Sequence, residues 1–235
     1  MTNLSDVYVA GAGASVTVLN DQTFNSSGTW TKPTGIQYAP TDMALIELWG
    51  GGGGGAIGAP SGGWITTGGA GGSYVRHAVP VSSLAATQAV AIGGGGAGGT
   101  TNGAPGGDTS FAGRTAHGGT EGVQYSAAQA VYDYGLNGYN GVLGTTLYTP
   151  GAGGWGTSAA SLLYPGRKSV YGGSGGDATN ANPGSGGNGT APGGGGGVNR
   201  SWAASGVKGG DGAPGRVRVR ILRGLNSFEI AEGPL

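Results

Sequence analysis

The chain has 235 residues, with 59 glycines, 11 prolines, no cysteine, and 11 basic against 11 acidic side chains. Balanced charge argues against nucleic-acid binding, which draws its affinity from a basic excess that releases counterions; the lack of cysteine excludes disulfides and thiolate metal sites. So much glycine and proline usually signals disorder, yet five Trp, ten Tyr and a charged fraction of 9% are the reverse of a disordered composition.

Residues 1–22 read as an N-terminal attachment segment, with a Gly11–Ala14 spacer and a short alternating run from Ser15 to Leu19. Their start lacks the basic and long apolar stretches of a signal peptide. No run of 18 apolar residues occurs anywhere, so no membrane insertion is expected. The domain proper is expected over residues 23–235. It opens on TFNSSGTWTKPTG, residues 23–35, whose Thr, Phe and Trp favour a strand and whose Lys32–Gly35 reads as a turn.

Ala44–Trp49 alternates with both faces apolar, Leu45, Glu47 and Trp49 on one and Ala44, Ile46 and Leu48 on the other. It reads as a covered central strand that runs straight into Gly50–Gly55. Tyr74–Val81 is a second strand, ending at an edge because of Pro80. Gln88–Ile92 runs into Gly93–Gly96, and Asp108–Phe111 follows a glycine pair. The closing strand, residues 215–223, points Val217, Val219 and Ile221 one way and Arg216, Arg218 and Arg220 the other; the arginine stripe reads as a solvated face. No window carries a convincing helix.

Each glycine costs about 0.5–1 kcal/mol more than alanine to order in a regular element, so this many need a structural reason. Gly68–Ser73, Gly95–Thr100 and Gly172–Asp177 each read GGX-GGX, a period of three. That period fits an extended left-handed helix with three residues per turn, which makes no internal hydrogen bonds. Such helices must pair their backbone groups sideways, and close approach forbids a Cβ on facing sides. A bundle of polyglycine-type helices follows as the expectation. The same glycines create chance GxGxxG matches, and no run ends in the Lys-Ser/Thr pair of a phosphate loop.

Catalytic chemistry finds little footing, and the chain is expected not to be an enzyme. Gly172–Gly176 fits a nucleophile elbow around Ser174, but His77 and His117 are the only histidines. His77 alternates with Val75 and Val79 and reads as a packed strand residue. No cofactor or metal set stands out; Asp108, Asp177 and Asp211 beside glycine pairs are expected to accept backbone N–H bonds, with a calcium site as the lesser alternative. The informative window is residues 123–171, which holds Tyr125, Tyr132, Tyr134, Tyr139, Tyr148, Trp155, Tyr164 and Tyr171. Tyrosine among Ser, Gly and Asn is the composition of adaptable binding loops, and these eight aromatics are the candidate binding residues. The alternative is that they cap the glycine helices as a second small core.

The succession FNSSGTWTKPTG, ALIELWGGGGGG, GGSYVRHAVPV and QAVAIGGGGAGG, with the closing GRVRVRIL, resembles the glycine-rich domain at the ends of bacteriophage tail fibres and related tail proteins. The resemblance covers residues 23–112 and the last strand. The glycine-helix bundle is also similar to the adhesins of T-even-like phages, and the strand and glycine-run order to the glycine-rich region of the anaplastic lymphoma kinase ectodomain. These resemblances imply a mainly β fold, a jelly-roll-like β-sandwich with an inserted bundle of polyglycine-type helices. They imply a virion tail protein, a homotrimer, joined to other tail proteins through its N-terminal segment, that binds a receptor on the host cell surface, a glycan or a protein. A purely structural tail subunit is the alternative.

Overall fold

The computed structural model describes residues 16–57, 64–126, 141–143, 146–149, 166–178, 185–199 and 207–224. The protein is mainly β. Its strands are β1 (Thr17–Phe24), β2 (Gly28–Thr31), β3 (Met43–Trp49), β4 (Trp64–Thr66), β5 (Tyr74–Pro80), β6 (Thr87–Ala91), β7 (Thr109–Phe111), β8 (Arg114–Ala116), β9 (Gln124–Ser126), β10 (Gly141–Leu143), β11 (Thr146–Thr149) and β12 (Arg216–Arg223). One antiparallel sheet has the order β1-β12-β3-β5-β11-β10, a second β2-β6-β7-β8, and β4 pairs with β9 alone.

The alternation of β3 sets the architecture. Its Ala44, Ile46 and Leu48 face a core shared by both larger sheets, with Val75 of β5 and Val217, Val219 and Ile221 of β12 beside them. Trp30, Val90, Phe111 and Ala116 supply the opposite wall from the second sheet. Trp30 meets Phe111 edge-on at 5.9 Å, and both are fully buried, each such side chain contributing about 1.5–3 kcal/mol. Val81, expected to end β5, instead opens a single 3-10 turn over Val81–Ser83, because Pro80 has no N–H to extend the ladder. Lys32 Nζ closes that turn by donating to the carbonyls of Val81 and Leu84.

The arginine stripe departs from the expected solvated face at Arg220, while Arg216 and Arg218 stay half-exposed. Arg220 is buried and donates through Nη2 to the buried Glu47 at 2.7 Å. Arg218 pairs bidentately with Asp21, and Arg216 Nε donates to Asn25. A charge taken out of water needs a partner, and β3 supplies one to Arg220. Arg223, at the end of β12, forks onto Asp42, whose carboxylate also accepts from the Ala39 N–H.

Six strands continue without interruption into glycine runs. β3 leads into 50–55, β6 into 93–99 and β8 into 117–122; runs 67–73, 103–107 and 209–215 lead into β5, β7 and β12. Run 50–55 lies at the centre. Its N–H groups donate in strict rotation to three neighbours: Gly50 and Gly53 to Ser73 and Ala70, Gly51 and Gly54 to Gly107 and Ala104, Gly52 and Gly55 to Ala213 and Gly210. Its carbonyls accept in the same rotation from three more. Gly51 and Gly54 take Gly119 and Gly122, Gly52 and Gly55 take Gly96 and Gly99, and Gly53 takes Gly196.

The surrounding runs also bond to one another and close a ring: Ala70 donates to Thr120, Gly106 to Gly119, Gly107 to Gly94, Gly212 to Gly96, Ala213 to Gly194 and Gly72 to Gly193. Segments 166–168, 173–177 and 186–190 add an outer layer, through Arg167 to Gly69, Gly176 to Gly195 and Gly197 to Gly187. Side-by-side sheets normally stand about 10 Å apart to house their side chains. Where β3, β5 and β12 of one sheet and β6, β7 and β8 of the other turn to glycine, the two layers close until their backbones hydrogen-bond across the gap.

Candidate functional site

Two places on this frame gather chemistry. The first is where the six-stranded sheet meets the glycine block. Trp49 ends β3 opposite Tyr74, which begins β5, and their rings pack at 5.1 Å. Tyr171 stands edge-on to Tyr74, again at 5.1 Å. It rides on a tight turn in which Ser169 N–H donates to Gly173 and Gly172 N–H donates back to Ser169. Ser169 Oγ anchors the turn to the Gly72 carbonyl, and Trp49 Nε1 donates to the Val170 carbonyl. Tyr171 has φ of 51°, a left-handed conformation that disfavours a large side chain and persists only when its surroundings enforce it. Tyr171 as a residue is 53% exposed, whereas Tyr74 and Trp49 beneath it are buried.

One row further along the same face, Glu47 lies opposite Arg76 on β5 and Arg218 on β12. Its carboxylate accepts from the Tyr74 hydroxyl at 2.7 Å and from Arg220. Burial, then the neighbouring Glu47 charge, push the Tyr74 phenol far above the ordinary tyrosine range, so it stays a donor. Arg76 is half-buried.

The second place is the far end of the glycine block. There Ile57 bridges to Asn199, β4 pairs with β9, and Asn102 Oδ1 accepts from the Gln124 N–H. Gln124 Nε2 donates to the Ile57 carbonyl, and Ser185 bridges to Lys208.

Three of the eight aromatic candidates, Tyr125, Tyr148 and Tyr171, fall among the described residues. Tyr125 lies on β9 at the far end and Tyr171 at the sheet end. Tyr148 lies on β11 with Val75 as its backbone partner. Tyr132, Tyr134, Tyr139, Trp155 and Tyr164 lie outside the described residues. The Glu47–Tyr74–Arg220 group was missed in the sequence, although its signal is there: one acid in ALIELW and, on the partner strand, arginines of the same parity.

The remaining polar candidates serve the frame. His77 is buried on β5 with Arg114 Nη2 3.5 Å away. Asp108 accepts from the Gly118 N–H and pairs with the exposed His117 at 3.1 Å. Asp211 accepts from Lys208 and from the Gly98 N–H, and those two donors, Lys208 first, hold its carboxyl below the usual range. At Asp177 it is the backbone carbonyl that accepts, from Gly187. Ser174 N–H donates to Thr190 Oγ1. Among the described residues no group of three or more His, Asp or Glu could hold a metal ion.

Among curated proteins, none matches this chain. A family model does, over residues 20–222, from within β1 to the penultimate residue of β12, and the protein therefore belongs to the family described as the glycine-rich domain.

Proposed function

We propose that this protein is a non-catalytic binding module of a bacteriophage tail, which recognises a host-surface receptor, and that its glycine block is a bundle of polyglycine-type helices set into a jelly-roll-like sandwich. The three-residue rotation of hydrogen bonds around run 50–55 supports the helices, since three residues per turn return each N–H to the same neighbour. Strand neighbours distant in sequence, β1-β12-β3-β5, support the jelly-roll order.

The observation that carries the binding role is the far end of the block. The described residues flanking 58–63 and 200–206, and those just before 127, meet there through Ile57, Asn199, Trp64 and Ser126. A stiff, cross-bonded base that holds several connections side by side is how recognition loops are presented with little ordering cost. On this reading the glycines build the frame and are not themselves the ligand contact. Binding would run through aromatic and hydrogen-bonding side chains, without a covalent step.

Purified protein is expected to coat host cells and to block phage adsorption, and Tyr132→Ala, Tyr139→Ala and Trp155→Ala to weaken that block while melting like the parent. Protein that folds but neither binds cells nor competes with phage would leave the structural tail-subunit reading in its place.

A further inference from the structure

The first and last strands of the fold lie side by side. Thr17, which opens β1, pairs with Arg223, which closes β12, and Phe24 pairs with Val217 at the other end of the same ladder. That other end adjoins the glycine block, since β12 follows run 209–215 and the neighbouring β3 continues into 50–55. The described fold therefore has an axis: first the two chain ends, then the sandwich, then the glycine block, then its far end at Ile57, Thr101 and Asn199.

What joins the two larger sheets changes along this axis. In the sandwich the join is an apolar core, with Ile46, Val75 and Val219 against Trp30 and Phe111. Apolar attraction has no direction, so it opposes the parting of the layers more than the sliding of one over the other. In the block the join is hydrogen bonds. Run 50–55, continuous with β3, is tied to the runs of β6 and β7 through Gly51 to Gly107, Gly54 to Ala104, Gly96 to Gly52 and Gly99 to Gly55. Run 209–215, continuous with β12, is tied to the run of β6 through Gly209 to Gly99, Gly212 to Gly96 and Gly215 to Gly93. These bonds lie across the runs, so a pull along the axis loads them together. No side chain stands between the runs to give way, since a Cβ added at Gly54 or Gly96 would strike backbone atoms.

We infer that the glycine block is a mechanical coupling. It spreads a pull applied at its far end over both sheets and passes it to the chain ends through the β1–β12 ladder loaded in shear. That the pull arrives from the far end rests on the receptor-binding reading; the coupling does not. Two consequences follow. A pull between the chain ends peels β1 from β12 one pair at a time, starting at Thr17 and Arg223, whereas a pull between Thr17 and the far end strains the whole ladder at once. The point pulled at the far end also makes no difference. Ile57 ends the run from β3, and Thr101 lies in the turn between the runs of β6 and β7. The Ile57 N–H donates to the Thr101 carbonyl, and the block ties their runs together along its length.

The chain has no cysteine, so pairs of introduced cysteines give unique attachment points for single-molecule pulling of the whole chain. Three pairs are compared, each in protein that melts like the parent: Thr17→Cys with Leu225→Cys, with Ile57→Cys and with Thr101→Cys. Thr17 and Thr101 are exposed, and Asn102→Cys in the same turn replaces Thr101→Cys should that variant melt lower. Forced unfolding reads the barrier along the pulled direction. The end-to-end pair is expected to yield at about half the force of the far-end pairs or less, and the two far-end pairs to yield at the same force. A lower force through Thr101 than through Ile57 would mean that the second sheet slides free of the first, and overturns the coupling. Equal forces for all three pairs overturn the shear path. If the forces follow the expected order in protein that binds no host cell, the receptor reading fails and the coupling stands.

Discussion

Most glycines here are required for the atom they lack and not for the angles they allow. Positive φ occurs among the described glycines at Gly35, Gly113, Gly193 and Gly224. At Gly53, in the middle of the central run, a Cβ would fall within 3.0 Å of the Thr120 carbonyl oxygen and carbon. Both are backbone atoms, already fixed by hydrogen bonds, that cannot step aside. Gly53→Ala is therefore expected to cost roughly 3 kcal/mol or more, the upper range of overpacking. Gly94 sits on the rim with nothing within 4 Å of the added carbon. Gly94→Ala should leave stability unchanged or raise it by about 0.4–1 kcal/mol, because alanine restricts the unfolded chain. Paired urea melts of the two variants check this, and equal effects would show that packing is not what selects glycine.

At the scale of elements, β3 is the part most legible in the sequence, since ALIELW alternates with no polar residue on its inner face and runs directly into glycine. The places of β5, β6, β7 and β12 also follow from pattern and punctuation, each to within one residue at its ends. The buried state of Arg220 does not, because alternation gives a residue's face but not what covers that face. A single Glu47 in register with Arg76 and Arg218, one same-face pair from Arg220, was the available clue. The candidate site was legible only in Tyr171. The partnership of Tyr171 with Tyr74 and Trp49 depends on a turn 97 residues beyond Tyr74, and no local pattern encodes that distance.

The junction of β3 and β12 carries a pH response. Asp42 is buried, and its hydrogen bonds from Arg223, with a smaller one from the Ala39 N–H, hold its carboxyl below the usual range. A depressed folded-state value means that stability is fully present above the ordinary aspartate value of about 3.9 and is lost as pH falls through the lower folded value. Thermal melts from pH 7 to 2 should therefore drop steeply only below about pH 4. Asp42→Asn should melt lower at pH 7 and lose part of the acid slope; an unchanged slope would remove Asp42 from the account.

For the whole molecule, two facing sheets become two layers of one hydrogen-bonded block when their side chains give way to glycine. The three-residue repeat announced sideways pairing, and the longest uninterrupted run, Gly50–Gly55, is the one enclosed on every side. Sequence alone does not give which runs touch, because each GGX copy looks alike and the partners of run 50–55 lie 23 residues away for Gly50 and Ser73 but 161 for Gly52 and Ala213. The chain's contacts, not its local preferences, choose the ring.

The most direct test is native-state hydrogen exchange resolved by NMR at Gly50–Gly55. Every one of these amides donates to a neighbouring run, so they should exchange only through global unfolding, with protection matching that of β3 and a free energy of about 5–15 kcal/mol. Exchange at the rate of an unstructured peptide, while β3 remains protected, would mean that the runs are loosely collapsed and that the block does not exist.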